Sequence, residues 1–110
     1  MFSPALKKGS IEMLVLALIE SRPRHGYEIG KLIEERSRGR LTFALPTLYP
    51  TLLRLESRGW IKGRWVEKPG ERERCFYRLT PEGRRVLAEQ QTTWRAYVAA
   101  VNEVMGRGHA

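Results

Sequence analysis

The sequence predicts a mainly α-helical α+β fold, and three observations predict it. Apolar residues recur at helical spacing in three short segments before residue 59. Between residues 60 and 79 the pattern changes to two short β-type runs around a turn. Beyond residue 80 a helical pattern continues to about residue 105. The predicted order is therefore three helices, a hairpin and one long helix.

The first two predicted helices differ in how their apolar residues are distributed. The first runs from Ser10 to about Glu20, with Ser10 as N-cap and apolar residues on all faces, as in a buried helix. The second runs from about Gly26 to Ser37 and is apolar on one face only. Gly39 is expected to stop it, since glycine commonly follows a helix end.

The third predicted helix lies between Pro46 and Arg58 and ends at Gly59. Pro46 and Pro50 fall within the first turn or so. Proline costs little there, because those N–H groups have no intrahelical partner. The face expected to enter the core carries Leu48, Leu52 and Leu55.

The hairpin is predicted from two strands, Trp60–Val66 and Cys75–Leu79. The Lys68-Pro69-Gly70 segment between them is a turn signal, and the residues around it are charged. Cys75 is the only cysteine, so no internal disulfide can form. We interpret Cys75 as a small buried apolar residue in preference to a redox sensor.

The last predicted helix has an N-cap threonine, Thr80, followed by Pro81 at its first position. It is expected to reach about Met105. Five of its apolar residues are separated by steps of seven, four, three and four, which is typical of a seam between paired helices. This predicted dimer interface consists of Leu87, Trp94, Val98, Val101 and Met105.

This order of elements is that of a winged helix-turn-helix, in which the third helix enters the major groove of DNA and the hairpin lies beside the phosphates. Residues 1–80 then form the winged-helix DNA-binding domain, and residues 81–110 the dimerisation helix and a frayed tail. The net charge is +8. Residues 54–85 contribute +5 of it, from ten Lys and Arg against five Glu. That distribution is typical of a phosphate-binding face.

Other functions have less support in the composition. The chain has no Asp, two His and one Cys, which excludes a Ser-His-Asp triad and leaves few metal ligands. We therefore expect no enzyme, metal or cofactor, and we interpret His25 as a helix-start or packing residue. The longest apolar run, Met13–Ile19, is too short to span a membrane, and we expect a cytoplasmic protein. A winged-helix module that binds protein or RNA stays open as an alternative, as does a merely solvated basic face.

Three groups of residues resemble the PadR-like family of transcriptional regulators. The first group is Leu14–Ile19 with Arg24–Ile29, the second is Thr47–Leu52 with Arg54–Ile61, and the third is Tyr77–Gly83. The resemblance implies a cytoplasmic homodimer that binds a palindromic operator, usually as a repressor. The chain length fits the short form of the family, which has a single C-terminal helix.

Candidate DNA contacts follow from the predicted elements. Thr47, Tyr49 and Arg54 lie on or near the groove-facing side of the third helix, where hydroxyls and guanidinium groups suit phosphates or base edges. Tyr27, near the start of the second helix, either donates to a phosphate or caps the core. The candidate contacts in the hairpin are Lys68, Arg72 and Arg74.

Trp94 has two interpretations. On the helical seam it is most simply an anchor of the dimer interface. The family resemblance adds a second role, because some members of the short form stack flat hydrophobic ligands against an aromatic residue between the two terminal helices. A possible effector site would then consist of Trp94 and Tyr97.

Overall fold

The computed structural model describes residues 4–106, and it confirms the α+β fold class. Its helices are α1 (Pro4–Leu18), α2 (Gly26–Arg36), α3 (Leu45–Ser57) and α4 (Pro81–Met105), and its strands are β1 (Arg24–His25), β2 (Ile61–Val66) and β3 (Arg74–Leu79). The predicted frayed tail after Gly106 lies outside the described residues. Within residues 4–106, no helix combines the length and apolar content that crossing a bilayer requires.

Helix α1 begins at Pro4, six residues before the predicted start. Ser10 therefore lies inside the helix, and its assignment as N-cap was wrong. Proline is well tolerated in a first turn, and good helix formers follow it, so the helix extends back past the serine. The buried residues Ile11, Val15 and Leu16 then pack into the core.

Helix α2 begins and ends where the sequence predicts. His25 is its N-cap, and the His25 Nδ1 accepts a hydrogen bond of 3.2 Å from the backbone N–H of Glu28. The structure thus confirms His25 as a helix-start residue. After the helix, Arg38 and Gly39 have φ angles of 56° and 78°, a left-handed turn that glycine adopts without strain.

Helix α3 buries the three predicted leucines completely. Pro46 is its second residue, but Pro50 is its sixth and lies beyond the first turn, contrary to expectation. Pro50 therefore removes one intrahelical hydrogen bond, since it has no N–H to donate to the carbonyl of Pro46. We attribute the continuity of the helix to its packed face, because Leu48 and Leu52 lie fully buried on either side of this position.

The sheet has three strands in the order β1-β3-β2, so the prediction of a two-stranded hairpin was incomplete. Arg24 and His25 form β1 and lie opposite Tyr77 and Phe76 of β3. Two residues are too short to show the alternation that marks a strand in sequence. The predicted turn is present, with Gly70 at a φ of 76° and a 3.0 Å hydrogen bond across it.

Helix α4 joins the core through its first two turns. Thr80 caps it as predicted, because the Thr80 hydroxyl accepts a 3.0 Å hydrogen bond from the N–H of Gly83. Val86 and Leu87 are buried in the same core as the apolar residues of α1. From residue 88 onwards the described side chains are mostly exposed, so the rest of α4 extends beyond this core.

Candidate nucleic-acid interface

An open cleft separates α3 from the wing, which consists of β2, β3 and the residues between them. Its volume is about 600 Å³, and the start of α2 closes one end. The lining includes aromatic, aliphatic and basic side chains and one carboxylate, among them Tyr27, Tyr49, Leu53, Trp65, Arg72, Glu73 and Arg74. The cleft therefore combines apolar surface with cationic and hydroxyl groups that can donate hydrogen bonds.

Arg74 and His25 meet where the wing reaches the start of α2. Arg74 Nη1 lies 3.2 Å from both ring nitrogens of His25, and its guanidinium is 5.9 Å from the centre of the Tyr27 ring. Burial lowers the pKa of His25, and the neighbouring Arg74 lowers it further. A neutral His25 can cap α2, while Arg74 keeps the positive charge at this end of the cleft.

A hydrogen bond joins the C-terminal part of α3 to β2 of the wing. The Gly63 N–H donates to Glu56 Oε2 over 2.8 Å. A Cβ at Gly63 would lie 2.6 Å from Cys75 Sγ, so the two strands and α3 approach closely here. Burial raises the pKa of the Cys75 thiol, which keeps it protonated and favours the interpretation of Cys75 as a packing residue.

The structure brings four of the seven predicted DNA contacts together. Tyr27, Tyr49, Arg72 and Arg74 all line the cleft. Tyr27 is 55% exposed, which disfavours its alternative role as a cap of the core. Lys68 is exposed in the turn of the wing.

The other two predicted contacts, Thr47 and Arg54, lie on the opposite flank of α3, since a helix has about 3.6 residues per turn. Thr47 is exposed. Arg54 Nε is 3.5 Å from Glu12 Oε2, and Arg58 Nη1 is 2.9 Å from Glu12 Oε1. A single carboxylate on α1 therefore holds both arginines beside α1.

Comparison with known proteins assigns this fold to a family. The family model of the PadR-like transcriptional regulators matches residues 15–89. The chain belongs to this family. A PadR family regulator from Eggerthella lenta is 33% identical to this chain and superposes with a TM-score of 0.82. The match covers 92% of this chain and 86% of the Eggerthella lenta chain. A transcriptional regulator from Clostridium thermocellum is 28% identical, with a TM-score of 0.85 over 94% of this chain and 97% of its own. An uncharacterized protein of Lysinibacillus sphaericus is 30% identical over 89% of this chain and 86% of its own.

Sequence reasoning about this PadR-like regulator missed two large exposed apolar residues of the cleft. Leu53 and Trp65 are 63% and 66% exposed, although both are large and apolar. The alternation of β2 gives a signal for Trp65, because Ile61, Gly63 and Trp65 share one face of the strand. The helical period gives a signal for Leu53, because it places this residue beside Tyr49 and opposite the buried leucines.

Most basic residues of the sheet lie on the face that does not pack on α3 and the core. Lys62, Arg64 and Arg78 are exposed, and they alternate with the residues that face α3 and the core. Lys62 lies directly opposite Arg78 in the pairing of β2 with β3. Much of the excess positive charge counted along the sequence is therefore on the outer face of the sheet and does not line the cleft.

The predicted seam on α4 requires one correction. Leu87 has no exposed surface in the single chain, so it cannot bury more against a second copy and belongs to the internal core. Trp94, Val98 and Met105 are exposed, and Val101 is half-buried. The centres of the Trp94 and Tyr97 rings are 6.5 Å apart, so these two aromatic residues form one exposed patch.

Proposed function

We propose that this PadR-like regulator is a homodimeric repressor that binds a palindromic operator in the cytoplasm. The observation that carries the proposal is the cleft, in which Arg72 and Arg74 of the wing and the two tyrosines Tyr27 and Tyr49 lie together beside α3. Cationic and hydroxyl groups beside a helix that can enter the major groove suit the phosphates that border the groove.

The proposed contacts divide between the wing and the helices. Arg72, Arg74 and Lys68 neutralise phosphates, and Tyr27 donates a hydrogen bond to another. Thr47 and Tyr49 reach base edges or nearby phosphates from α3. Arg54 was predicted as a direct contact, but its ion pair with Glu12 favours a role in positioning α3 against α1.

The dimer is proposed from the part of α4 that extends beyond the core. Residues 88–105 would span about 27 Å at the rise of an α-helix. Helices of this length depend on packing for most of their stability. Pairing with the same surface of a second copy would cover Trp94, Val98, Val101 and Met105. It would also set the two α3 helices about one DNA turn apart.

An effector site is proposed at the exposed patch of Trp94 and Tyr97. A flat hydrophobic ligand held between the two α4 helices would change their separation and so the distance between the α3 helices. It would release the operator only if it bound the DNA-incompetent arrangement more tightly than the competent one. Operator release by planar hydrophobic compounds, lost in Trp94→Ala, is the expected result of a fluorescence-anisotropy titration.

Selection from a random duplex pool at two salt concentrations tests operator binding. We expect one two-fold-symmetric motif, bound with an affinity that falls steeply with salt. Uniformly weak binding with no recovered motif would contradict the proposal and would favour the alternative of a protein- or RNA-binding module.

A pair of double variants tests the contacts assigned to the wing. Arg72→Ala with Arg74→Ala should reduce the slope of log affinity against log salt by about 2, because two phosphate contacts are lost. The matched control is Arg36→Ala with Arg84→Ala, which removes the same charge from exposed positions outside the cleft. Equal slopes for the two double variants would refute the assignment.

Sedimentation tests the proposed dimer directly, because it measures the oligomeric state in solution. Val98→Asp places a charge in the proposed interface and should yield monomers at micromolar concentration. Thr92→Asp adds the same charge on the opposite side of α4 and should leave the dimer intact. A wild-type chain that sediments as a monomer would refute the proposed assembly.

A further inference from the structure

The outermost line of α3 is mostly apolar. Leu48, Leu52 and Leu55 face the core, and a period of about 3.6 residues places Pro46, Pro50, Leu53 and Ser57 on the opposite side. Leu53 has the largest of these side chains, with 63% of its surface exposed. A helix that enters the major groove along this line presents aliphatic carbon to the bases at its centre.

The two arginines at the end of α3 are not free to read guanine, which is the usual way in which arginine recognises a base in the major groove. Arginine reads guanine through two parallel hydrogen bonds, which require a free guanidinium. Arg54 and Arg58 both pair with Glu12, and Arg54 Nη2 also donates to Thr51 Oγ1 over 3.2 Å. These contacts direct both side chains toward α1 and away from the outermost line.

Aliphatic side chains also have a partner in the major groove. Among the base pairs, only those with thymine carry a methyl group at the groove edge, and apolar side chains contact it. An aliphatic side chain offers no hydrogen bond to guanine, cytosine or adenine. Leaving the polar edge of such a base unpaired has a cost in free energy.

We infer that α3 reads thymine methyl groups, with Leu53 as the residue that sets this preference and Pro50 beside it. The inference rests on the proposed operator binding and names the chemistry that the operator must present. Each half-site contains at least one thymine whose methyl group packs on Leu53. Guanine contacts from arginines of α3 do not contribute to the specificity.

A uracil scan of the selected operator tests the inference. Each thymine of the recovered duplex is replaced in turn by deoxyuridine, which removes only the methyl group, and affinity is measured for the full-length protein. At the thymine that packs on Leu53 the wild type should bind about fourfold more weakly, the equivalent of about 0.8 kcal/mol for one buried carbon. Leu53→Ala should bind the thymine and uracil duplexes equally, whereas Leu53→Met should retain the preference.

The outcomes of these measurements distinguish a failure of the thymine preference from a failure of operator binding. Since Leu53 is largely exposed, both variants are expected to fold, and far-UV circular dichroism verifies this before binding is measured. A recovered motif with no thymine sensitive to methyl removal overturns the inference and leaves operator binding intact, and so does a methyl effect of equal size in wild type and Leu53→Ala. Failure to recover any motif overturns operator binding itself, and this inference with it.

Discussion

Replacing Gly83 by alanine is expected to destabilise the protein, which is the opposite of the effect that helix propensity alone predicts. In an open helix, Gly→Ala stabilises by about 1 kcal/mol. At Gly83, however, an added Cβ would lie 1.9 Å from the carbonyl oxygen of Trp60, about 1.5 Å closer than ordinary contact. The N–H of Thr80 donates to that same carbonyl over 3.1 Å, and the Thr80 hydroxyl donates to the neighbouring carbonyl of Gly59 over 2.6 Å. Moving α4 away would therefore strain its N-cap as well as the core.

The expected net loss for Gly83→Ala is about 2 to 4 kcal/mol. Overpacking costs about 1–3 kcal/mol, and each weakened hydrogen bond costs about 1 kcal/mol, against a propensity gain of about 1 kcal/mol. Gly9→Ala is the matched control, because Gly9 lies in α1 with nothing within 4 Å of an added Cβ. We expect it to stabilise the protein.

Urea unfolding followed by circular dichroism measures both effects. The protein concentration must be the same for every variant, because the proposed dimer would become more stable as its concentration rises. A Gly83→Ala variant as stable as the wild type would refute the steric argument. The same change of stability in both glycine variants would show that helix propensity alone decides the outcome.

Two further predictions concern charge. Glu12→Gln should release Arg54 and Arg58, making the salt dependence of binding to a mixed-sequence duplex steeper by about one to two phosphate contacts. It should lower stability by no more than about 1–2 kcal/mol, because both ion pairs are partly exposed. An unchanged salt slope would show that the arginines cannot reach DNA. For His25, whose pKa is lowered in the folded state, the neutral form contributes stability that is present above about pH 6.5 and lost as the pH falls. Urea midpoints at pH 7.5 and 5.5 should therefore differ less in His25→Asn, which caps α2 without titrating.

The elements that sequence predicts well have their determinants close together in the chain. Thr80 and Gly83 form the cap of α4 within four residues, and Gly39 and Gly59 end their helices by their own backbone preference. Ser10 shows the limit of this reasoning. A residue that can cap a helix does so only if the preceding residues leave the helix, and here they continue it.

The parts that sequence missed depend on contacts between distant residues. Glu12 and Arg58 are 46 positions apart, so nothing local indicates that α1 restrains the arginines of α3. Leu87 fits the spacing of the α4 seam, but spacing cannot show where the internal core ends and an exposed surface begins. That limit is set by α1, whose apolar residues pack against the first two turns of α4.

Arg24 shows how one such contact positions the candidate site. Its side chain is buried, and its guanidinium makes two hydrogen bonds. Nε donates to the carbonyl of Leu18 over 2.6 Å, and Nη1 donates to Glu28 over 2.9 Å. The first bond satisfies a carbonyl at the end of α1, and the second reaches the first turn of α2. Lysine could not hold both partners in this geometry, because it lacks the planar fork of the guanidinium. Since the backbone of Arg24 also pairs with β3, the end of α1, the start of α2 and the wing are joined at one residue, and their relative positions determine where Tyr27 enters the cleft.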